Sequence, residues 1–133
     1  MIIIRLWHQK LIPYLPRQQL LGQHRELAAL RGQGWGRKHS VVNYVFAYSP
    51  SLLVAYHYIV MDEMERRGYH PDQVWRDINY RGKNLGYQDN WCNQEEVDKM
   101  RQASIIYPEH NDEYLRECLD NLHSKGIDIK LAY

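Results

Sequence analysis

The chain has 133 residues, room for one domain around one hydrophobic core. Hydrophobic residues make up 44% of it, which excludes a disordered chain, and no apolar run approaches the roughly 18 residues that span a bilayer. The net charge of +1 conceals an asymmetry: residues 1–45 hold seven cations and one acid (+6), whereas residues 46–133 hold ten cations and fifteen acids (−5). Such a division suggests one face for a polyanion and another for solvent, although chance clustering of surface Lys and Arg gives the same count.

Residues 1–15 are apolar and contain Pro13, with Pro16 just beyond, and read as an extended arm leading into a helix. Met1–His8 has neither a basic n-region nor a small-residue cleavage site, so no export signal is expected and the location expected is cytoplasmic. Pro16 suits a helix start, Leu20, Leu21, His24, Leu27 and Ala28 recur at helical spacing, and Gly32 supplies a stop. The spacing predicts a helix over 17–31 with Leu20, Leu27 and Ala28 toward the core and His24 beside them, a partly buried, satisfied histidine. Gln19, Gln23 and Glu26 form a neighbouring polar line, and Arg25 projects away from it next to Gln18.

Residues 33–39, Gln-Gly-Trp-Gly-Arg-Lys-His, read as a loop suited to phosphate contacts and base stacking, or as a turn with Trp35 packed on the core. Ser49-Pro50 opens a nearly apolar helix that ends at Gly68, with His57 and the methionines in the core. Pro71 begins a short helix to about Ile78. Residues 79–92 form a long loop, of a length that tends to be functional. Asn93 with Glu96 matches a capping box for a helix to about Ala103. Asn111 begins a last helix with Leu115, Cys118, Leu119 and Leu122 on one face, stopped by Gly126, and the tail 127–133 is short. The pattern is all-α, a compact single domain with long ordered loops.

No phosphate loop, dinucleotide turn or nucleophile elbow occurs. Cys92 and Cys118 belong to no CxxC pair, and no HExxH is present, so no disulfide, metal or cofactor is expected. The acids Asp62, Glu63, Glu65, Glu95 and Glu96 read as solvated helix exteriors. Glu26 differs: it is the only Asp or Glu before Asp62. A carboxylate in a cationic setting stays ionised and weakens polyanion binding, so its presence points to chemistry, or else to an ion pair with Arg25 or Arg17 that fixes the helix.

The segment Leu15–Leu27, with Gln18, Leu20, His24 and Arg25-Glu26-Leu27, resembles the catalytic-helix signature of the pyrimidine-dimer DNA glycosylase/AP-lyase family of the phage endonuclease V type. Arg37-Lys38-His39 resembles that family's basic tripeptide, and Ser49-Pro50 its Ser-Pro helix start. Glu117-Cys118-Leu119 followed by Lys125-Gly126 resembles a later helix. The resemblance covers the first 60 residues well and the last 25 weakly. Residues 68–106 read as an insertion, and the family's aromatic, basic C-terminal segment has no counterpart.

The resemblance implies a base-excision repair enzyme acting on double-stranded DNA, damaged or abasic. The chain's own N-terminal amine attacks C1′, the base departs, a Schiff base forms, and β-elimination cuts the strand after base flipping. Glu26 takes the glutamate's place in ring opening and proton transfer. Met1 takes that of the amine, and Arg5, Arg17, Gln18, Arg25, Arg37, Lys38 and His39 hold DNA. Residue 2 is Ile, whose bulk opposes Met removal, and counting back from Glu26 puts the family's nucleophile near Arg5. Three readings stay open: Met1 supplies the amine, the true start differs, or this branch has lost lyase chemistry. Lys10 is a more remote nucleophile. A non-catalytic nucleic-acid-binding module of this fold, or a glycosylase for another modified base, is the alternative.

Overall fold

The computed structural model describes residues 6–32 and 43–131. They form four α-helices, α1 (Arg17–Arg31), α2 (Pro50–Arg66), α3 (Gln94–Arg101) and α4 (Asp112–Ser124), with 3-10 turns at Gln9–Tyr14, Asn43–Ala47 and Gln73–Arg76. No strand occurs among the described residues, only an isolated antiparallel bridge between Tyr80 and Tyr87. None of their helices is long and apolar enough to cross a membrane.

α2 is the centre. Ser49 Oγ accepts the Ser51 N–H at 3.2 Å and Pro50 fills the first position, where a missing N–H costs nothing. Every residue from Ser51 to Tyr58 is buried, as are Val60, Met61, Glu63 and Met64. A helix apolar all round needs neighbours on all sides. α1, α3 and the turns at Gln9–Tyr14 and Asn43–Ala47 pack against it. α3 and α4 start as their sequences predict: Asn93 Oδ1 accepts the Glu96 N–H and Asn111 Oδ1 the Tyr114 N–H, each at 2.9 Å. α4 sends Cys118 and Leu122 into the core. Cys92 and Cys118 are both buried and free.

The first departure from expectation is the N-terminal arm. From Leu6 onward it is core: Leu6, Trp7, His8, Gln9, Leu11, Ile12 and Leu15 are buried. Its polar groups are met by distant partners. The Gln9 side chain donates to Ala103 O at 3.0 Å and accepts the Ile106 N–H at 2.7 Å. His110 Nδ1 accepts the Gln9 N–H at 3.1 Å, and Arg67 donates to Leu15 O at 2.6 Å and Pro13 O at 3.1 Å. Apolar side chains alone did not distinguish an arm from a packed 3-10 turn, because these partners lie about fifty or a hundred positions away.

Two further expectations are corrected. The helix from Pro71 to Ile78 shrinks to the turn Gln73–Arg76. Asp72 Oδ1 accepts the Val74 N–H and Asp77 Oδ1 the Asn79 N–H, a local competition that ends helix at both sides. Glu63 is not a solvated exterior acid. It is 8% exposed and accepts from both Arg66 and Arg67. Burial raises its carboxyl pKa, but the two guanidinium groups outweigh burial and hold it below the usual range. Residues 68–106, which the sequence suggests as an insertion, carry α3 and pack it along α2.

Candidate nucleic-acid interface

α1 begins after Pro16 and runs to Arg31, and Gly32 closes it by donating to Ala29 O at 3.1 Å. Leu20, Gln23, Leu27, Leu30 and Arg31 are its buried residues. At about 100° per residue, Glu26 lies at one margin of that stripe and His24 at the other. Gln18, Gly22, Arg25 and Ala29 form the outward strip between them; Gln18, Arg25 and Ala29 are exposed and Gly22 is half-buried. Arg25 folds back along Gly22: a methyl group there would lie 3.7 Å from its guanidinium. Arg17 is exposed, with its guanidinium 5.6 Å from the centre of the Tyr69 ring.

Glu26 is half-buried. Beside it, Gln23 leaves the polar line read from the sequence and is 1% exposed. Gln23 Oε1 accepts the Trp7 backbone N–H at 2.7 Å, and Gln23 Nε2 donates toward Glu26 Oε2 at 3.4 Å. The Tyr56 hydroxyl donates to Trp7 O, and Lys125 Nζ sits 5.4 Å from the Trp7 ring centre. One amide side chain therefore joins the incoming N-terminal segment to the carboxylate's margin of α1.

The opposite margin is built on Arg31. The charge count from sequence treats it as a surface cation, but its side chain is 0% exposed. It donates to Tyr80 O at 3.0 Å, Trp75 O at 2.9 Å and Asp77 O at 2.6 Å, and lies over the Trp75 ring at 5.1 Å. Burial lowers its pKa to about 10, which leaves it charged at neutral pH. Arg31 Nη1 also reaches His57 Nδ1 at 3.1 Å, and His57 Nε2 reaches His24 Nδ1 at 2.8 Å. Guanidinium only donates, so His57 Nδ1 must accept. The His57 proton then sits on Nε2 and is donated to His24 Nδ1, which leaves the His24 proton on Nε2. Burial first, then the Arg31 charge, pushes His57 well below the ordinary histidine value. His24 is lowered by burial, then by Arg25 and Arg31. Both rings are neutral near pH 7. The expected satisfied, partly buried His24 is thus observed, with its tautomer fixed from the far end of the chain of bonds.

Of the residues expected to act on DNA, Arg17, Gln18, Arg25 and Glu26 share α1, three exposed and one at its margin. Met1, Arg5, Arg37, Lys38 and His39 lie outside the described residues. Lys10 is exposed in the turn Gln9–Tyr14. Gln23 and Arg31 each build one margin of the site, and the sequence alone does little to mark them for it. Gln23 carried one available signal: on the helical wheel it sits between Leu27 and Glu26, inside the apolar arc.

Residues 4–77, more than half of the chain, match the model of the pyrimidine dimer DNA glycosylase family. The chain belongs to that family. The match takes in α1, α2 and the Trp75 and Asp77 carbonyls that hold Arg31, and it stops before Tyr80, α3 and α4. No curated protein and no solved structure matches the chain. Family membership implies DNA as the substrate and agrees with the all-α architecture.

Proposed function

We propose that this protein removes a pyrimidine-dimer base from double-stranded DNA and cleaves the resulting abasic site, using its N-terminal amine as nucleophile and Glu26 as the carboxylate that moves protons. The observation that carries this reading is the Gln23 bridge, which ties the Trp7 N–H and Glu26 to one side chain. Met1 is six residues before Trp7, so its amine lies within about 20 Å of that anchor even at full extension. Glu26 falls inside that reach.

An α-amine suits the task. Its reference pKa is about 7.7–8.0 against about 10.4 for Lys, so a far larger fraction is neutral near pH 7. The amine nitrogen bonds to C1′ as the C1′–N bond to the base breaks, and the base leaves with a proton. Ring opening gives an imine between the amine nitrogen and C1′. Removal of a C2′ proton then expels the 3′ phosphate by breaking the C3′–O bond. In this reading Glu26 acts as the base that accepts protons in these steps. Arg25 and Arg17, with Gln18, supply phosphate contacts on the outward strip. Arg5, Arg37, Lys38 and His39 extend the basic surface in this reading.

The test is a duplex with one thymine dimer at a defined position. Incubation with the protein is expected to release the dimer's 5′ base from its sugar and then nick the strand, and Glu26→Gln is expected to abolish the nick while binding the duplex. A wild-type protein that binds the duplex but leaves every glycosidic bond intact contradicts the reading and leaves a non-catalytic binding module.

A further inference from the structure

The segment beyond the family match builds a projecting hairpin-like loop, and its construction is costly in a way that a passive loop does not require. Tyr80 and Tyr87 bridge, Arg81 N–H donates to Gly86 O at 2.8 Å, and Gly86 N–H donates to Gly82 O at 2.7 Å. Gly82 and Gly86 take φ of 104° and 63°, which only glycine adopts freely. The tip carries Lys83, Asn84 and Leu85, all exposed; Leu85 is 51% and Tyr87 60% exposed, two of the largest apolar exposures among the described residues.

The root of this loop is fixed to α1 from both directions. Buried Arg31 donates to Tyr80 O and Asp77 O, and Arg81 Nε donates back to Arg31 O at 2.9 Å while its guanidinium covers the Trp91 ring at 4.5 Å. Holding a guanidinium away from water is expensive unless its donors are satisfied, and here the satisfied donors mostly serve to hold residues 75–80. From that root a series of rings runs outward. Arg31 lies on Trp75, Trp75 meets Tyr80 edge-on at 4.8 Å between centres, and Tyr80 meets Tyr87 at 4.9 Å. The inner rings are half-buried, and the last one is open to solvent. Arg31 is five residues along α1 from Glu26, an axial rise of about 7.5 Å, so the root of the loop is held by the same helix that carries the carboxylate.

We infer that the Tyr87 ring is a stacking platform for an unpaired nucleobase of the damaged duplex, with Leu85 as its apolar edge and Lys83 as a phosphate contact. An aromatic face accepts any base, because every base has a π-surface, and a base displaced or orphaned at a lesion needs such a surface once it leaves the stack. Cations at the tip and root, Lys83 and Arg81, against the single acid Asp89 in residues 79–91 fit a polyanion better than a second protein surface. The inference rests on the proposed DNA-directed function, and it adds a contact on the α1 margin opposite Glu26.

The experiment uses the full chain and a duplex with a single tetrahydrofuran abasic analogue opposite 2-aminopurine, followed by anisotropy and by aminopurine fluorescence. Tyr87→Ser is expected to weaken binding about tenfold or more and to abolish the fluorescence change that reports stacking. Tyr87→Phe, which keeps the ring, is expected to retain both. Lys83→Ala is expected to lower the salt slope by about one phosphate contact. Both positions are exposed, so circular dichroism of the three variants should match the wild type. If Tyr87→Ser binds the lesion duplex as the wild type does, with the same fluorescence change, the platform is overturned and the α1 reading stands; this is also the outcome if the tip serves a protein partner. If the wild type shows no salt-sensitive binding to the duplex, the DNA-directed reading and the platform fall together.

Discussion

Gln23 Oε1 accepts the Trp7 backbone N–H at 2.7 Å, and both groups are buried. The bond fixes where the N-terminal segment meets α1, and the other end of the same amide points at Glu26. Replacing Gln23 by Met, of similar volume, orphans the Trp7 N–H, and an unsatisfied buried donor costs about 1–3 kcal/mol. Urea titration should show that loss. Under the proposed mechanism, strand nicking at an abasic site should fall more steeply than affinity for the same duplex, because the lost bond anchors the N-terminal segment and is not a phosphate contact. Equal losses in both would make Gln23 a purely structural residue.

Arg31→Met should be among the most destabilising substitutions in the chain, with an expected cost of about 3–5 kcal/mol from the carbonyls of Trp75, Asp77 and Tyr80 left without donors. Arg31→Lys should recover only part of it, because an ammonium does not reproduce a planar fork that reaches several acceptors at once. Denaturant midpoints compare the pair directly. Aminopurine fluorescence should also decline in the Lys variant if Arg31 sets the position of the Tyr80–Tyr87 loop.

Stability should fall as pH drops below neutrality. Burial depresses the His110 pKa to about 3, against about 6.5 when unfolded. Between those values the unfolded chain binds the extra proton, so stability is fully present above about 6.5 and is lost as pH falls toward 3. His57, His24 and His8 are lowered by burial and act in the same direction. His123, raised by its exposed pairing with Asp128, opposes them weakly. His110 alone should account for about 2–3 kcal/mol between pH 6.5 and 4.5. Urea midpoints across that range measure it, and His110→Gln should flatten the curve.

Under the proposed function, in which the exposed Arg25 guanidinium on the outward strip meets phosphate rather than a base, Arg25→Ala should weaken DNA binding uniformly across sequences and reduce the salt slope by about one unit. A sequence-dependent loss would place Arg25 against a base edge instead.

The helical frame was legible where the sequence carried its own punctuation. Pro16 and Gly32 bound α1, Ser49-Pro50 opens α2, and Asn93 and Asn111 cap α3 and α4 through side chain-to-backbone bonds a few residues away. Glu26 was legible as a candidate because its charge stands alone in the first part of the sequence. What stayed hidden was polar burial set by distant partners. Arg31 reads as one more surface cation until residues 75–80 fold over it, and Gln23 reads as part of a polar strip until Trp7 arrives. The N-terminal segment reads as an arm in sequence because the groups that hold it, Arg67 and His110, lie far along the chain. Charge counts register how many cations there are, but give no account of which of them face water.

The central claim, an N-terminal amine acting opposite Glu26, is tested most directly by borohydride trapping on abasic-site DNA followed by mass mapping of the linked peptide. The account predicts a covalent adduct on the α-amine of the first residue, present in wild type, absent when that amine is blocked, and greatly reduced in Glu26→Gln. No adduct, or an adduct on a side chain such as Lys10 that survives blocking of the amine, would contradict it.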